Sequence, residues 1–274
     1  MIKRLNLTFV FLFFILGFFS CNKKNDSATP TKTTNSGIFG KVLLYDEYGD
    51  LQSDYSGLTI NGYCLDTTII IDTLPKKYYD STFTIISDLA GNFSILKCHQ
   101  GVYTFSFAKD QFGTNKFVGF EHSNSSGDTL KNVFLSKSTL ATVHIDSIRV
   151  SSDNKLLFIN RTVSLTGSSS KTYAVVTRYF FSNSPNVTDK LYSYEWVSGA
   201  TQGVGGFVSS VQVQKSTDKF STSGINLNKQ IYVRAYIDNI KYCQYKDSVK
   251  ATKMVFPNVV SPSNIVTFKV DSVK

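Results

Sequence analysis

The sequence predicts an all-β protein, two tandem β-sandwiches that follow a leader and a flexible linker. Three observations lead there. From Gly37 onward, short segments rich in Val, Ile, Thr, Tyr and Phe alternate with clusters of Gly, Asn, Asp and Ser, which is the pattern of strands and turns. No stretch sustains the 3.6-residue apolar period of a helix. With 42% hydrophobic, 14% aromatic and 18% charged residues, the chain has the composition of one that folds. The roughly 240 residues after the linker suffice for two ordinary domains.

The leader comes first. Lys3 and Arg4 precede an apolar run from Leu5 to Phe19 that is interrupted by Asn6 and Thr8 and ends in small Ser20. A membrane-spanning helix needs about 20 apolar residues, so the run reads as a cleavable export signal. Cys21 follows at once, and "GFFSC", Gly17 to Cys21, resembles the lipobox of bacterial lipoproteins. Phe18 stands where leucine is usual, and Phe19 where a small residue is preferred. The resemblance covers the leader alone. It implies that residues 1–20 are a lipoprotein signal peptide, that the Cys21 thiol carries diacylglycerol, and that the freed amine is acylated too, for instance with palmitate. Several acyl chains hold a protein on a bilayer where one binds marginally. An ordinary secretory leader with an incidental cysteine is the alternative.

Residues 21–36 read as a tether. "NKKNDSATPTKTTNS", Asn22 to Ser36, has no large apolar residue and cannot build a core. Asn22 stands where an aspartate would, in some bacteria, signal retention in the inner membrane, so by analogy the outer membrane is favoured. "KKND" resembles surface-export signals of some Gram-negative lipoproteins; both the periplasmic face and the cell surface stay open. Asp26-Ser27-Ala28 resembles an O-glycosylation acceptor.

Residues 37–140 form the first expected sandwich. In "SDLAGNFSILKCHQGVYTFSFAKDQFG", Phe93 and Ile95 share one strand face and Tyr103, Phe105 and Phe107 share one face of the next, with turns at Asp88, Gly91 and Gly101. The opening "GIFGKVLLYDEYGD" puts Ile38, Gly40 and Val42 on one face and a turn at Asp46 to Asp50. The spacing of Asp88, Gly91, Phe93, Gly101 and Tyr103 resembles the carboxypeptidase regulatory-like domain, a transthyretin-like, immunoglobulin-like sandwich. Cys98 replaces an apolar residue common there, and "TLPKKYYDST" reads as a lengthened loop.

Residues 141–274 form the second. In "LNKQIYVRAYID", Ile231, Val233, Ala235 and Ile237 alternate inward while Tyr232, Arg234 and Tyr236 alternate outward. This resembles, more weakly, a fibronectin type III or other immunoglobulin-like domain; the corner tyrosine usual at the position of Ile231 is missing. "NIVTFKV" is the expected last strand.

The net charge of +9 is unevenly spread. Residues 37–140 carry 8 Lys against 11 Asp and Glu, whereas residues 141–274 carry 16 Lys and Arg against 8 acids. A basic face attracts acidic glycans, lipid phosphates or an acidic partner; a lysine-rich solvated surface is the plainer account. Scattered lysines on an exported chain without a binding motif argue against nucleic acid.

No catalytic constellation is visible. His99, His122 and His144 are isolated and read as turn or surface residues, so no metal site or cofactor is expected. "SGATQGVGG", Ser198 to Gly206, lacks phosphate-cradle spacing and reads as a sandwich loop. There is no G-x-S-x-G elbow and no nominable carboxylate pair. Cys64 and Cys98 are a candidate disulfide within the first sandwich, equally readable as buried thiols, and Cys243 reads as a part-buried thiol.

Two aromatic groups are candidate ligand platforms. Tyr192, Tyr194 and Trp196 fall at every second residue; turned outward the row stacks sugar rings, turned inward it is core. Tyr78 and Tyr79 form a second pair in the lengthened loop. The expectation is a non-enzymatic, lipid-anchored envelope protein that binds a glycan or an envelope partner protein. An envelope enzyme with an unrecognised site and a purely structural component are the alternatives.

Overall fold

The computed structural model describes residues 37–65, 82–96, 98, 101–123 and 127–270. Within them the protein is all-β, as expected. Cys21, Tyr78 and Tyr79 lie outside the described residues, as do the leader and the tether.

Strand β1 (Gly37–Tyr45), β2 (Thr59–Leu65), β3 (Thr82–Ile86), β4 (Asn92–Leu96), β5 (Gly101–Lys109), β6 (Gly113–His122) and β7 (Asp128–Ser136) make two facing sheets. One runs β4-β1-β7, with β1 antiparallel to β4 and parallel to β7; the other runs β3-β2-β5-β6, antiparallel throughout. Alternation sends every second side chain into the space between them. Ile38, Val42 and Leu44 meet Ile60, Tyr103, Phe105 and Phe107, all buried. Each such side chain contributes about 1.5–3 kcal/mol by leaving water. The β3–β4 turn is closed by Asp88, whose carboxylate accepts the Asn92 N–H at 2.7 Å. Gly91 sits there at φ +80°, and a Cβ would stand 2.2 Å from the Val42 carbonyl oxygen, so only glycine fits.

Seven further strands and one short helix follow before the chain reaches its last insertion. Strands β8 (Ala141–Val150), β9 (Leu156–Leu165) and β13 (Val208–Ser216) form a sheet in the order β13-β9-β8. Opposite lie β11 (Tyr194–Val197), β10 (Thr172–Ser182), β14 (Ile231–Asn239) and β17 (Ile265–Phe268), with β12 (Thr201–Val204) also pairing to β10. Ile231, Val233, Ala235 and Ile237 point into this second core. The glycine-rich "SGATQGVGG" is a correction to the loop expectation, because its centre is edge strand β12, bonded to Thr172 through Val175. Helix α1 (Asp218–Thr222), which is too short to show a period, seats buried Phe220 against Phe181 and Tyr194.

A third apolar layer covers the outer side of β10 and β14. There Phe180 and Tyr236 are capped by Val187, Tyr192 and Phe256, supplied by the β10–β11 connection and by the long insertion between β14 and β17. Arg178, fully buried, lies 4.2 Å from the Tyr242 ring and 4.4 Å from that of Phe256. Its Nε donates to Asp238 and its Nη1 to Glu195, both at 2.7 Å.

The two sandwiches are pinned together by buried amides. Asn239 Nδ2 donates to the carbonyls of Asp46 (2.9 Å) and Lys137 (3.1 Å). Asn258 Nδ2 donates to the carbonyls of Ser136 and Phe112. Lys171 reaches back to Asp46 (3.1 Å) and Asp50 (2.7 Å) across the face of Tyr48. Gly113 is tied to this seam: it holds φ +72°, and a Cβ would lie 2.9 Å from Asn258 Oδ1.

Urea unfolding of the protein is expected to give one transition reporting both sandwiches. Arg178→Ala strands two carboxylates, and its loss will be about 3–5 kcal/mol. Asn258→Ala leaves two buried carbonyls unpaired and will cost about 1–3 kcal/mol.

Candidate binding cleft

The insertion between β14 and β17 carries a small hairpin, β15 (Tyr245–Lys246) paired with β16 (Met254–Val255). It does not close on its own sandwich alone. Cys243 Sγ lies 3.9 Å from the Thr114 carbonyl and 3.7 Å from Asn258 Oδ1. Lys116 on β6 forms an ion pair with Asp247, and its amine stands 5.7 Å from the centre of the Tyr245 ring. From the other side the hairpin is held by Tyr192, whose hydroxyl donates to the Met254 carbonyl and accepts the Met254 N–H, both at 3.1 Å. Lys253 Nζ donates to the Tyr192 carbonyl at 2.5 Å.

These contacts leave an open cleft of about 740 Å³ walled by Gly113 and Thr114 of the first sandwich, Asp189 and Lys190 of the second, and the hairpin with the segment after it. A groove of about 400 Å³ lies on the outer face of β2, β3 and β5, lined by Asn61, Tyr63, Thr82, Thr84, Thr104 and Ser106, with Lys116 at its border. The Lys116–Asp247 pair therefore stands on the ridge between two concave surfaces. Asp247 holds the Lys116 amine above the usual lysine range, and the tyrosine hydroxyls of Tyr245 and Tyr63 act in the same direction. Burial pushes up the ionisation of the Tyr236 hydroxyl, and the charge of Asp189 adds to it.

The chemistry on offer is recognition. Tyr63 and Tyr245 supply partly exposed ring faces, the β-sheet supplies hydroxyl and amide groups, and Lys116, Lys190, Lys253 and Asp247 supply charge. Among the described residues no three or more His, Cys, Asp or Glu side chains gather as a metal site.

The structure places the sequence candidates elsewhere. Tyr192 is 8% exposed and belongs to the third apolar layer. Tyr194 and Trp196 lie on the inner edge of the second sandwich: Trp196 stacks on Tyr179 with ring centres 5.0 Å apart at 19°, and Tyr194 packs edge-on to Phe220. Lys215 crosses both rings at 5.6 and 5.9 Å. The row is thus a core edge closed by a lysine, and not an outward platform, because β11 pairs with β10 in the register that turns these rings toward Phe181 and Tyr179. Beside it Arg161, 2% exposed, donates to the Tyr179 hydroxyl (3.0 Å) and Ser198 Oγ (2.5 Å), holding the bend between β11 and β12.

Cys64 and Cys98 are buried thiols that flank the Tyr103 hydroxyl, with no bridge between them. Burial pushes up the ionisation of both Cys98 and Tyr103. His122 corrects the surface expectation: it is 2% exposed and hydrogen-bonds Asp128 at 2.6 Å. The six-residue spacing hides the pair in the sequence, and the β6–β7 connection brings it together. His144 is exposed, and His99 lies outside the described residues. The residues that sequence reasoning missed are Lys116, Tyr245 and Asp247, separated by about 130 positions and joined only by the docked hairpin.

No family model matches the chain, and no curated protein matches it. Among solved structures it is similar to a DUF3823 family protein from Parabacteroides merdae, with 13% identity over 86% of this chain and 98% of that one and a TM-score of 0.32. A DUF3823 family protein from Bacteroides uniformis gives 12% identity over 86% and 100% of the two chains, TM-score 0.30. A candidate carbohydrate-binding protein from the same species gives 15% over 85% and 98%, TM-score 0.27.

Burial pushes the Cys243 thiol up to about 12, and only the thiolate reacts. A thiol reagent at pH 8 will therefore leave Cys243 unlabelled in the native protein and label it in urea, as read by peptide mass.

Proposed function

We propose that this protein is a non-enzymatic binding module of the outer membrane, anchored through acylated Cys21 and presenting the cleft beside the β15–β16 hairpin to a glycan. The observation that carries the reading is the cleft itself, in which aromatic faces, hydroxyls and fixed charges converge on a rigid seam. Sugars are held by such mixtures, with a ring packed on an aromatic face and polar groups setting its orientation. The anchor is supported by the leader pattern that ends in Cys21. A tether of some 15 residues after it would let the cleft meet ligand on either face of the membrane.

A second reading, a scaffold for an envelope protein, draws on the open side of the first sandwich. There β3 and β4 are both edge strands, and Ile86, Leu89 and Leu96 are 67%, 69% and 57% exposed. Exposed apolar side chains grouped at sheet edges favour pairing with another chain.

In glycan-array binding followed by titration, Tyr245→Ala is expected to weaken capture by roughly tenfold, the worth of about 1.4 kcal/mol of stacking. Retained binding in that variant would refute the cleft as the site. Cys21→Ser is expected to move the protein from the membrane fraction to the soluble one and to abolish incorporation of labelled palmitate.

A further inference from the structure

Resting on the cleft as a glycan site, we infer that its ligand is an anionic saccharide, whose carboxylate or sulfate replaces Asp247 on Lys116. Of the cleft's own carboxylates, Asp247 is already paired with Lys116, and Asp189 lies near the Tyr236 hydroxyl. Its lysines are in excess: Lys190 and Lys253 have no carboxylate within ion-pair distance among the described residues. The hairpin itself also carries exposed Lys246 and Lys250. The excess is local to the basic half of the chain, where 16 Lys and Arg face 8 acids.

The Lys116–Asp247 pair has the asymmetry that exchange requires. The lysine side chain is 29% exposed and held between Tyr245 and Tyr63, whereas Asp247 is 65% exposed on a turn. An ion pair so open to water is weak, so swapping one carboxylate for another costs little. The incoming anion keeps a charge-assisted hydrogen bond to Lys116, while its sugar ring gains the Tyr245 face. Asp247 would then be a placeholder that keeps the amine aimed when the cleft is empty, and it competes with ligand. A neutral sugar would instead use Asp247 as a hydrogen-bond acceptor, which gives the two cases opposite signs in one variant.

The test is calorimetric titration of the full mature protein in detergent with oligogalacturonate, with its methyl ester as the uncharged counterpart, and with a heparin oligosaccharide as the sulfated arm. Expected is binding of at least one anionic probe, weakened tenfold or more on esterification and severalfold between 50 and 500 mM salt, since screening acts on exposed charges. Lys116→Gln should weaken it about tenfold and Asp247→Asn should strengthen it two- to fivefold, with thermal unfolding of both variants little changed because an ion pair this open to water adds little to stability. Equal binding of acid and ester, or weaker anion binding by Asp247→Asn, would overturn the inference and leave the glycan cleft standing. Failure of every charged and neutral saccharide on the array would overturn both.

Discussion

Two buried asparagines hold this molecule in its shape. Asn239 and Asn258 each send an amide across the seam to two backbone carbonyls of the first sandwich. Those carbonyls end or flank strands, at Asp46, Phe112, Ser136 and Lys137, where sheet pairing no longer satisfies them. A buried carbonyl without a partner is costly, so the seam can close only in the register that brings these amides to them. The seam therefore fixes where the β15–β16 hairpin lies, and the hairpin makes the cleft. Its ionic accompaniment, Lys171 with Asp46 and Asp50 over Tyr48, is partly exposed and adds less.

The second constraint is charge placed in the interior. Arg178 is enclosed by two carboxylates and two aromatic rings, so its burial is compensated on several sides. Burial pushes the Asp238 carboxyl up, with the charge of Glu195 adding to it, and Arg178 opposes that. Arg161 has neutral partners, two hydroxyls and nearby oxygen atoms of the β11–β12 bend. Each guanidinium fixes an irregular stretch that the hydrophobic pattern alone would leave free: one the insertion that bears the hairpin, the other the interruption of an edge strand. Multiple donors in a rigid plane suit arginine to that task.

Much of the fold was legible because its information is local. Phe93 with Ile95, Tyr103 with Phe105 and Phe107, and Ile231 through Ile237 alternate with a period of two that any strand reading detects, and Asp88 with Gly91 marks its turn unaided. The site was not legible in the same way. Lys116 and Asp247 belong to separate sandwiches, and no periodicity links them. Tyr192, Tyr194 and Trp196 were found by their spacing, yet spacing does not say which face of a strand is inward. The register with β10 decides that, and it turned Trp196 onto Tyr179. His122 was misread for a related reason, since a histidine near a turn looks exposed until its carboxylate partner folds back onto it.

Strand β1 begins at Gly37, the first of the described residues, and lies in the middle of its sheet between β4 and β7. A pull applied at Gly37 would load β1 lengthwise, so the hydrogen bonds on both flanks would resist together in shear instead of opening one at a time like a zipper. The strand that receives such a force is thus held along its whole length and from both sides.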